Sequence, residues 1–163
     1  MFYEAHMNNS TDHDQNPPLL TPLITLVSSS PNLHNVLTSA IDTQHYELAT
    51  AKTASESLNI IGDSKIALVD LILEDMDGLS LIEEFRARHK SLHIIAIMCK
   101  KELAAIEMSA ESITLMASQA GANAVFIAPF NLAELLATID RFLEASSHSS
   151  VSQASASITS IAS

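Results

Sequence analysis

The chain has 163 residues, of which 47% are hydrophobic and 17% charged, enough for one domain with a buried core. Its formal net charge of −11 would repel a phosphate backbone, which argues against direct nucleic-acid binding. No stretch approaches the roughly 20 apolar residues of a membrane span, and the N-terminus lacks a basic-then-apolar signal, so a cytoplasmic protein is expected. The single cysteine, Cys99, argues against a disulfide framework and a thiolate metal site.

Composition divides the chain into three parts. Residues 1–22 are polar, rich in Asn, His, Asp and Pro and without periodicity, which predicts a mobile arm. Residues 146–163 carry Ser at nine of eighteen positions, the composition of a free tail or of a linker to a further domain. Residues 23–145 between them are predicted to form the folded domain.

Strand and helix patterns alternate along this domain. Short apolar runs predict five strands, and amphipathic stretches with capping residues predict about five helices. The predicted strands are Ile24–Val27, Tyr46–Ala51, Ile66–Val69, His93–Met98 and Ala124–Ile127. The predicted helices begin after Ser30, after a Thr53–Glu56 capping box, at Leu79, at Lys101 and after an Asn131–Glu134 capping box.

Continuous apolar strands between helices are typical of a parallel sheet that is covered on both faces. Five such units predict a flavodoxin-like, doubly wound α/β fold with strand order 2-1-3-4-5. No second repeat and no second core is expected.

The fourth helix is predicted to run unbroken from Lys101 to Ala120 and to stop at Gly121. Its apolar stripe consists of Leu103, Ile106, Ala110, Ile113, Ala117 and Ala120. Three further apolar residues, Met108, Leu115 and Met116, fall largely off this stripe. A Met-rich extra face suits an adaptable protein partner, and the alternative is an added turn that folds back and buries it.

Asp70 ends the third predicted strand and opens the stretch Asp70-Leu-Ile-Leu-Glu-Asp-Met-Asp-Gly78. A carboxylate at the carboxyl end of a buried strand points into the crevice where open α/β sheets bind ligands. This stretch resembles the phosphoacceptor segment of bacterial response-regulator receiver domains. The resemblance covers about residues 23–144 and includes Gly121-Ala122 before the fifth strand and Pro129-Phe130 after it.

The resemblance implies that Asp70 is the candidate phosphoacceptor, but the rest of the family's catalytic set differs. Family receivers hold a magnesium ion with an acidic pair, which here is Ser28 and Ser29. No metal and no other cofactor is therefore expected, and a weakly held magnesium ion is the alternative.

Three other family positions also differ. The Ser or Thr that ends the fourth strand is Met98, the aromatic switch residue is Val125, and the lysine before the Pro-Phe pair is Ala128. Two apolar side chains at the switch positions are expected to pack into the core rather than move together.

The resemblance implies a bacterial signalling module and not an enzyme. The missing residues favour a pseudo-receiver, which acts by protein–protein contact with impaired or absent phosphorylation. The alternative is a working receiver of a two-component phosphorelay, phosphorylated on Asp70 by a histidine kinase. A small phosphatase of the haloacid-dehalogenase type would need a second Asp where Ile72 stands.

The expected partners are proteins: a histidine kinase, an output domain or another regulator. A homodimer is left open, and neither nucleic acid nor a membrane is expected.

Overall fold

The computed structural model describes residues 22–42 and 46–146. These residues form a five-stranded parallel sheet with six helices. Of the predicted arm 1–22 and tail 146–163, only Pro22 and Ser146 are among the described residues. The proposed boundaries of the arm and of the tail therefore stay predictions.

The predicted strands and helices are present, with one helix divided in two. The strands are β1 (Leu23–Val27), β2 (Glu47–Ala51), β3 (Ile66–Asp70), β4 (His93–Cys99) and β5 (Ala124–Ala128). The helices are α1 (Pro31–Asp42), α2 (Ala54–Ile60), α3 (Gly78–Arg88), α4 (Lys100–Ala105), α5 (Ala110–Ala120) and α6 (residues 132–146). The sheet order β2-β1-β3-β4-β5, with parallel pairing throughout, confirms the predicted flavodoxin-like topology.

Two apolar layers cover the two faces of the sheet. Successive side chains of a strand point to opposite faces, so Ile24 and Leu26 enter one layer while Val27 enters the other. The first layer receives the apolar stripes of α1 and α6, and the second receives those of α2, α3 and α5. Burial of both faces explains why the central strands are apolar along their whole length.

Capping side chains fix the starts of the helices close to where the sequence predicts them. Ser30 Oγ accepts a hydrogen bond from the Leu33 amide at 3.2 Å, and Thr53 Oγ1 accepts one from the Glu56 amide at 3.1 Å. Glu56 reaches back to the amide of Lys52, at 2.6 Å, rather than to that of Thr53. The predicted capping box is thus present with its return bond moved by one residue.

The prediction of one unbroken helix from Lys101 to Ala120 is wrong. The chain turns at residues 106–109, where Glu107 has a φ of 53°, and Ser109 starts α5 by accepting a hydrogen bond from the Ser112 amide at 3.1 Å. Ile106 is 47% exposed rather than part of a buried stripe. Met108 instead packs against the core, so the turn buries a side chain that a straight helix would leave outside.

Candidate functional site

Asp70 lies at the carboxyl edge of the sheet, at the centre of its five strands. It is the last residue of β3 and pairs in register with Ile97 of β4, while the chain leaving β1 passes beside it at Ser28. Its side chain is 6% exposed. This is the position where an open α/β sheet forms its ligand crevice.

Both carboxylate oxygens of Asp70 accept hydrogen bonds from the protein. Ser28 Oγ donates to Oδ2 at 2.7 Å, and the amide of Ile72 donates to Oδ1 at 3.0 Å. Ser28 Oγ also accepts from the amide of Ser30 at 3.0 Å. Ser29 makes no such contact with the carboxylate, because its hydroxyl donates to the Lys52 carbonyl at 3.0 Å. Of the two serines at the acidic-pair positions, one therefore touches Asp70 and the other secures the neighbouring loop.

Burial raises the pKa of Asp70 above its ordinary value. The hydrogen bonds from Ser28 and Ile72, and the electrostatic attraction of His34, oppose this shift without cancelling it. His34 is held close by its Nε2 atom, which lies 2.5 Å from the Ser28 carbonyl oxygen. The sequence reasoning missed His34, because nothing in the neighbouring residues of α1 indicates that its side chain lies near Asp70, at the end of another strand.

The loop from Leu71 to Asp77 is tied down at two points by carboxylates. Asp77 caps α3 by accepting from the Ser80 amide at 2.9 Å and from its hydroxyl at 2.7 Å. Asp75 accepts from the amides of Ala54 and Ser55 at 2.9 and 3.1 Å, which joins the loop to the start of α2. These hydrogen bonds lower the pKa of both carboxyl groups.

Gly78 brings α3 against the end of β3. A Cβ atom at this position would lie 2.5 Å from Leu71 Cα and 2.7 Å from the Asp70 carbonyl oxygen. Only glycine permits this approach, so the Asp-Gly pair in the sequence marks a close backbone contact as well as a helix start.

The remaining positions of the family set lie on β4 and β5. Met98 is buried, and Val125 is half-buried against the same apolar layer. Ala128 ends β5 opposite Cys99. None of these side chains offers a charged group or a hydrogen-bond donor to Asp70.

Glu102 brings a second carboxylate into the surroundings of Asp70. It lies in the first turn of α4, and its Oε2 accepts from the Cys99 amide at 3.3 Å. Burial raises the pKa of Glu102, and repulsion by Asp70 raises it further. Sequence reasoning missed this residue, and the only available signal was its position three residues after the end of β4.

The predicted partner-surface residues separate in the structure. Leu115 is 59% exposed and Met116 40% exposed on the outer side of α5, while Met108 is half-buried against the core. A cleft of about 490 Å³ between α4, α5 and the end of β5 is lined mainly by apolar side chains, including Leu103, Met108 and Ile127. Within the described ranges, no group of three or more His, Cys, Asp or Glu side chains is placed to hold a metal ion.

Comparison with known proteins identifies the family. The family model for the response regulator receiver domain matches residues 24–140. The chain belongs to that family. It is 32% identical over 118 residues to the transcriptional regulatory protein KdpE of Staphylococcus aureus (strain NCTC 8325 / PS 47), a match that covers 71% of this chain and 47% of KdpE. This chain thus covers about half the length of KdpE.

Solved receiver structures share the fold. A CheY-like receiver domain protein from Methanospirillum hungatei JF-1 has a TM-score of 0.69 at 23% identity, covering 80% of this chain and 99% of that one. The non-phosphorylated HemR receiver domain of Leptospira biflexa has a TM-score of 0.63 at 26% identity, with coverages of 75% and 94%. The resemblance found in the sequence is confirmed, and the domain is a regulatory module of two-component systems.

The length and apolar character of the helices decide whether any of them could cross a membrane. Among residues 22–42 and 46–146, no helix is both long enough and apolar enough to cross a membrane.

Proposed function

We propose that this receiver domain acts as a pseudo-receiver, which regulates its target through protein–protein contact while phosphorylation of Asp70 is impaired or absent. The observation that carries the proposal is the bonding of the Asp70 carboxylate. Ser28 and the Ile72 amide each occupy one of its oxygens, and burial makes its charged form less favourable. Hydrogen bonds to both oxygens reduce the nucleophilicity of the carboxylate towards a phosphodonor.

The donor set around Asp70 does not fit magnesium. This ion demands near-octahedral oxygen ligands and is usually held through carboxylates. The two family positions that would supply them are Ser28 and Ser29, whose hydroxyl hydrogens are donated to Asp70 and to the Lys52 carbonyl. No step of the proposed function is therefore assigned to a metal ion.

The charge on a transferred phosphoryl group would also lack its usual stabilisation. Phosphoryl transfer depends on positioning and on neutralising charge, and the family's lysine and hydroxyl positions are Ala128 and Met98 here. In enzymes, removal of one hydrogen-bond donor that stabilises a charged transition state costs about 2.7–4 kcal/mol. Such losses are not additive when the residues act as a unit.

A working phosphoacceptor is the second candidate function, and Glu102 is the observation that favours it. The charge of Asp70 contributes to the raised pKa of Glu102, which α4 carries just after the end of β4. Glu102 gives the site an acidic group that the positions Ser28 and Ser29 do not provide.

Intact-mass spectrometry after incubation with acetyl phosphate and magnesium tests the proposal. We expect no phosphoryl adduct on the wild-type chain, with the Asp70→Asn variant as the matched control. An adduct on the wild type that is absent from Asp70→Asn would overturn the pseudo-receiver proposal. If the Glu102→Gln variant then lost that adduct while staying folded, Glu102 would be assigned to the phosphorylation site.

We propose the outer side of α5 around Leu115 and Met116 as the contact surface for a protein partner. A histidine kinase, an output domain, another regulator and a second copy of the chain are the candidates. Sedimentation and pull-down experiments on Leu115→Ser/Met116→Ser should show reduced association, while Asp70→Asn should associate like the wild type. Val36→Ser, which changes an exposed apolar residue on α1, is the matched control.

A further inference from the structure

Positive charge is concentrated at the amino edge of the sheet, opposite Asp70. Lys65 directly precedes β3, while Arg86 and Arg88 end α3 and Lys90 lies in the turn that leads to β4. These four residues are half of the eight Lys and Arg in a chain that has 19 Asp and Glu. Half of the Lys and Arg residues of this acidic chain thus lie at one end of the fold.

A cleft of about 550 Å³ opens at this edge. It is lined by the charged side chains of Lys65, Arg86 and Lys90 and by His93, and none of its described lining residues is Asp or Glu. The volume falls in the range of small-molecule binding sites. The residues that line the cleft thus carry a net positive charge, opposite in sign to the net charge of the whole chain.

Arg86 supplies a fixed and unneutralised charge to the cleft. Its Nη2 donates to the Gly121 carbonyl at 2.8 Å and to Asn123 Oδ1 at 2.9 Å, and its Nη1 donates to the Lys90 carbonyl at 2.8 Å. All these acceptors are neutral, so they hold the guanidinium in place without cancelling its charge. Burial lowers the pKa of Arg86, and burial together with the Arg86 charge lowers that of His93.

Two exposed lysines, Lys65 and Lys90, line the same cleft as Arg86. Among residues 22–42 and 46–146, the only ion pair joins Arg88 to Glu84 at 2.6 Å. The ammonium groups of Lys65 and Lys90 make no ion pair or hydrogen bond within the same ranges. Each can therefore turn towards a ligand in the cleft without breaking an existing contact.

We propose that this cleft binds a small, multiply charged phosphate anion. Lys65 and Lys90 contact the ligand directly, and Arg86 attracts it as a fixed positive charge behind them. Three cations complement a diphosphate better than a singly charged carboxylate, because each further negative charge gains another favourable interaction. The site lies at the edge opposite Asp70 and does not depend on whether that residue is phosphorylated.

Calorimetric titration of the full chain with pyrophosphate at low ionic strength tests the proposal. We expect saturable one-site binding to the wild type, with acetate giving no saturable heat. The Lys65→Gln/Lys90→Gln variant should bind at least about tenfold more weakly, because two charge-assisted contacts are lost. Its matched control is Lys100→Gln/Lys101→Gln, which removes the same charge from exposed residues at the carboxyl edge and should stay within about twofold of the wild type.

A second readout locates the bound ion. Pyrophosphate should raise the pKa of His93, followed by its ring signals in NMR, because a nearby anion stabilises the imidazolium. Asp70→Asn should bind as the wild type does, which separates this site from the proposed pseudo-receiver function. Absence of saturable binding, an equal loss in the Lys100/Lys101 control, or an unchanged His93 titration would each overturn the proposal.

Discussion

The two edges of the sheet use their charged side chains in different ways. At the carboxyl edge, Asp70, Asp75 and Asp77 each accept at least two hydrogen bonds from neighbouring amides and hydroxyls. At the amino edge, the ammonium groups of Lys65 and Lys90 make no ion pair or hydrogen bond within the described residues. A charge that is already bonded to the backbone stabilises the loop that holds it, whereas a charge without a partner is available to a ligand.

The largest effect is expected from Gly78→Ala, which disturbs the carboxyl edge. The added Cβ atom would lie 2.5 Å from Leu71 Cα, a backbone atom that cannot move without displacing the end of β3. We expect a loss of about 3 kcal/mol in the free energy of unfolding, measured by urea denaturation. Gly62→Ala is the control, since no atom lies within 4 Å of its added Cβ. Equal stability of the two variants would contradict the close contact between β3 and α3.

Arg86→Gln should disturb the amino edge almost as much. The substitution removes the donors to the part-buried carbonyl of Gly121 and to the carbonyl of Lys90, and a part-buried acceptor without a partner is costly. We expect a loss of about 2 kcal/mol in urea denaturation. Arg88→Gln removes the same charge from an exposed i,i+4 pair and should cost less than about 0.5 kcal/mol. A similar cost for both variants would show that Arg86 acts by charge alone.

Within the carboxyl edge, Asp70 and Asp75 should respond to pH with opposite signs. The pKa of Asp70 is raised on folding, so its ionisation opposes folding, and wild-type stability falls as pH rises from the unfolded pKa through the folded one. Asp70→Asn should therefore gain stability relative to the wild type between pH 4 and pH 7. The pKa of Asp75 is lowered on folding, so its ionised form supports folding. Asp75→Asn should be less stable than the wild type above the unfolded pKa, and the difference should disappear as pH falls through the lowered folded pKa.

These pH effects are measured as the difference in unfolding free energy between each variant and the wild type at several pH values. The two variants serve as controls for each other, because both convert one carboxylate of the same loop into an amide. Differences of the same sign would show that the two carboxylates are not held in contrasting environments.

The smallest effect is expected at the turn between α4 and α5. Glu107 has a φ of 53°, a conformation that glycine adopts without steric cost. Glu107→Gly should be neutral or stabilising by up to about 0.5 kcal/mol, because relief of strain offsets the added flexibility of the unfolded chain. In an unbroken helix the same change would destabilise the protein by about 1 kcal/mol, so thermal denaturation distinguishes the two cases by the sign of the effect.

Most of the fold is predictable because its signals are local. The apolar runs, the capping residues Ser30 and Thr53, and the apolar stripe of the last helix each depend on a few neighbouring residues. The five strands begin and end within one or two residues of the predicted positions. The apolar residues of α6 recur at helical spacing and pack in one layer, namely Leu132, Leu135, Leu136, Ile139, Phe142 and Leu143.

The features that could not be predicted depend on contacts between distant segments. Ile106 and Ala110 fit a helical period, but the chain turns between them, where Met108 packs against the core. The electrostatic effect of Asp70 on Glu102 follows from the direction that α4 takes after β4 ends. Lys65 and Lys90 are far apart in sequence and line one cleft because the starts of β3 and β4 are adjacent.

The burial of Met98 makes its oxidation a measure of how often the centre of the sheet opens. Met98 as a residue is 1% exposed, whereas Met116 is 40% exposed on the outer side of α5. Dilute peroxide should therefore oxidise Met116 rapidly and reach Met98 only when β4 and β5 separate transiently. The ratio of the two sulfoxides in a peptide digest would measure how often the centre of the sheet opens, without any label being added.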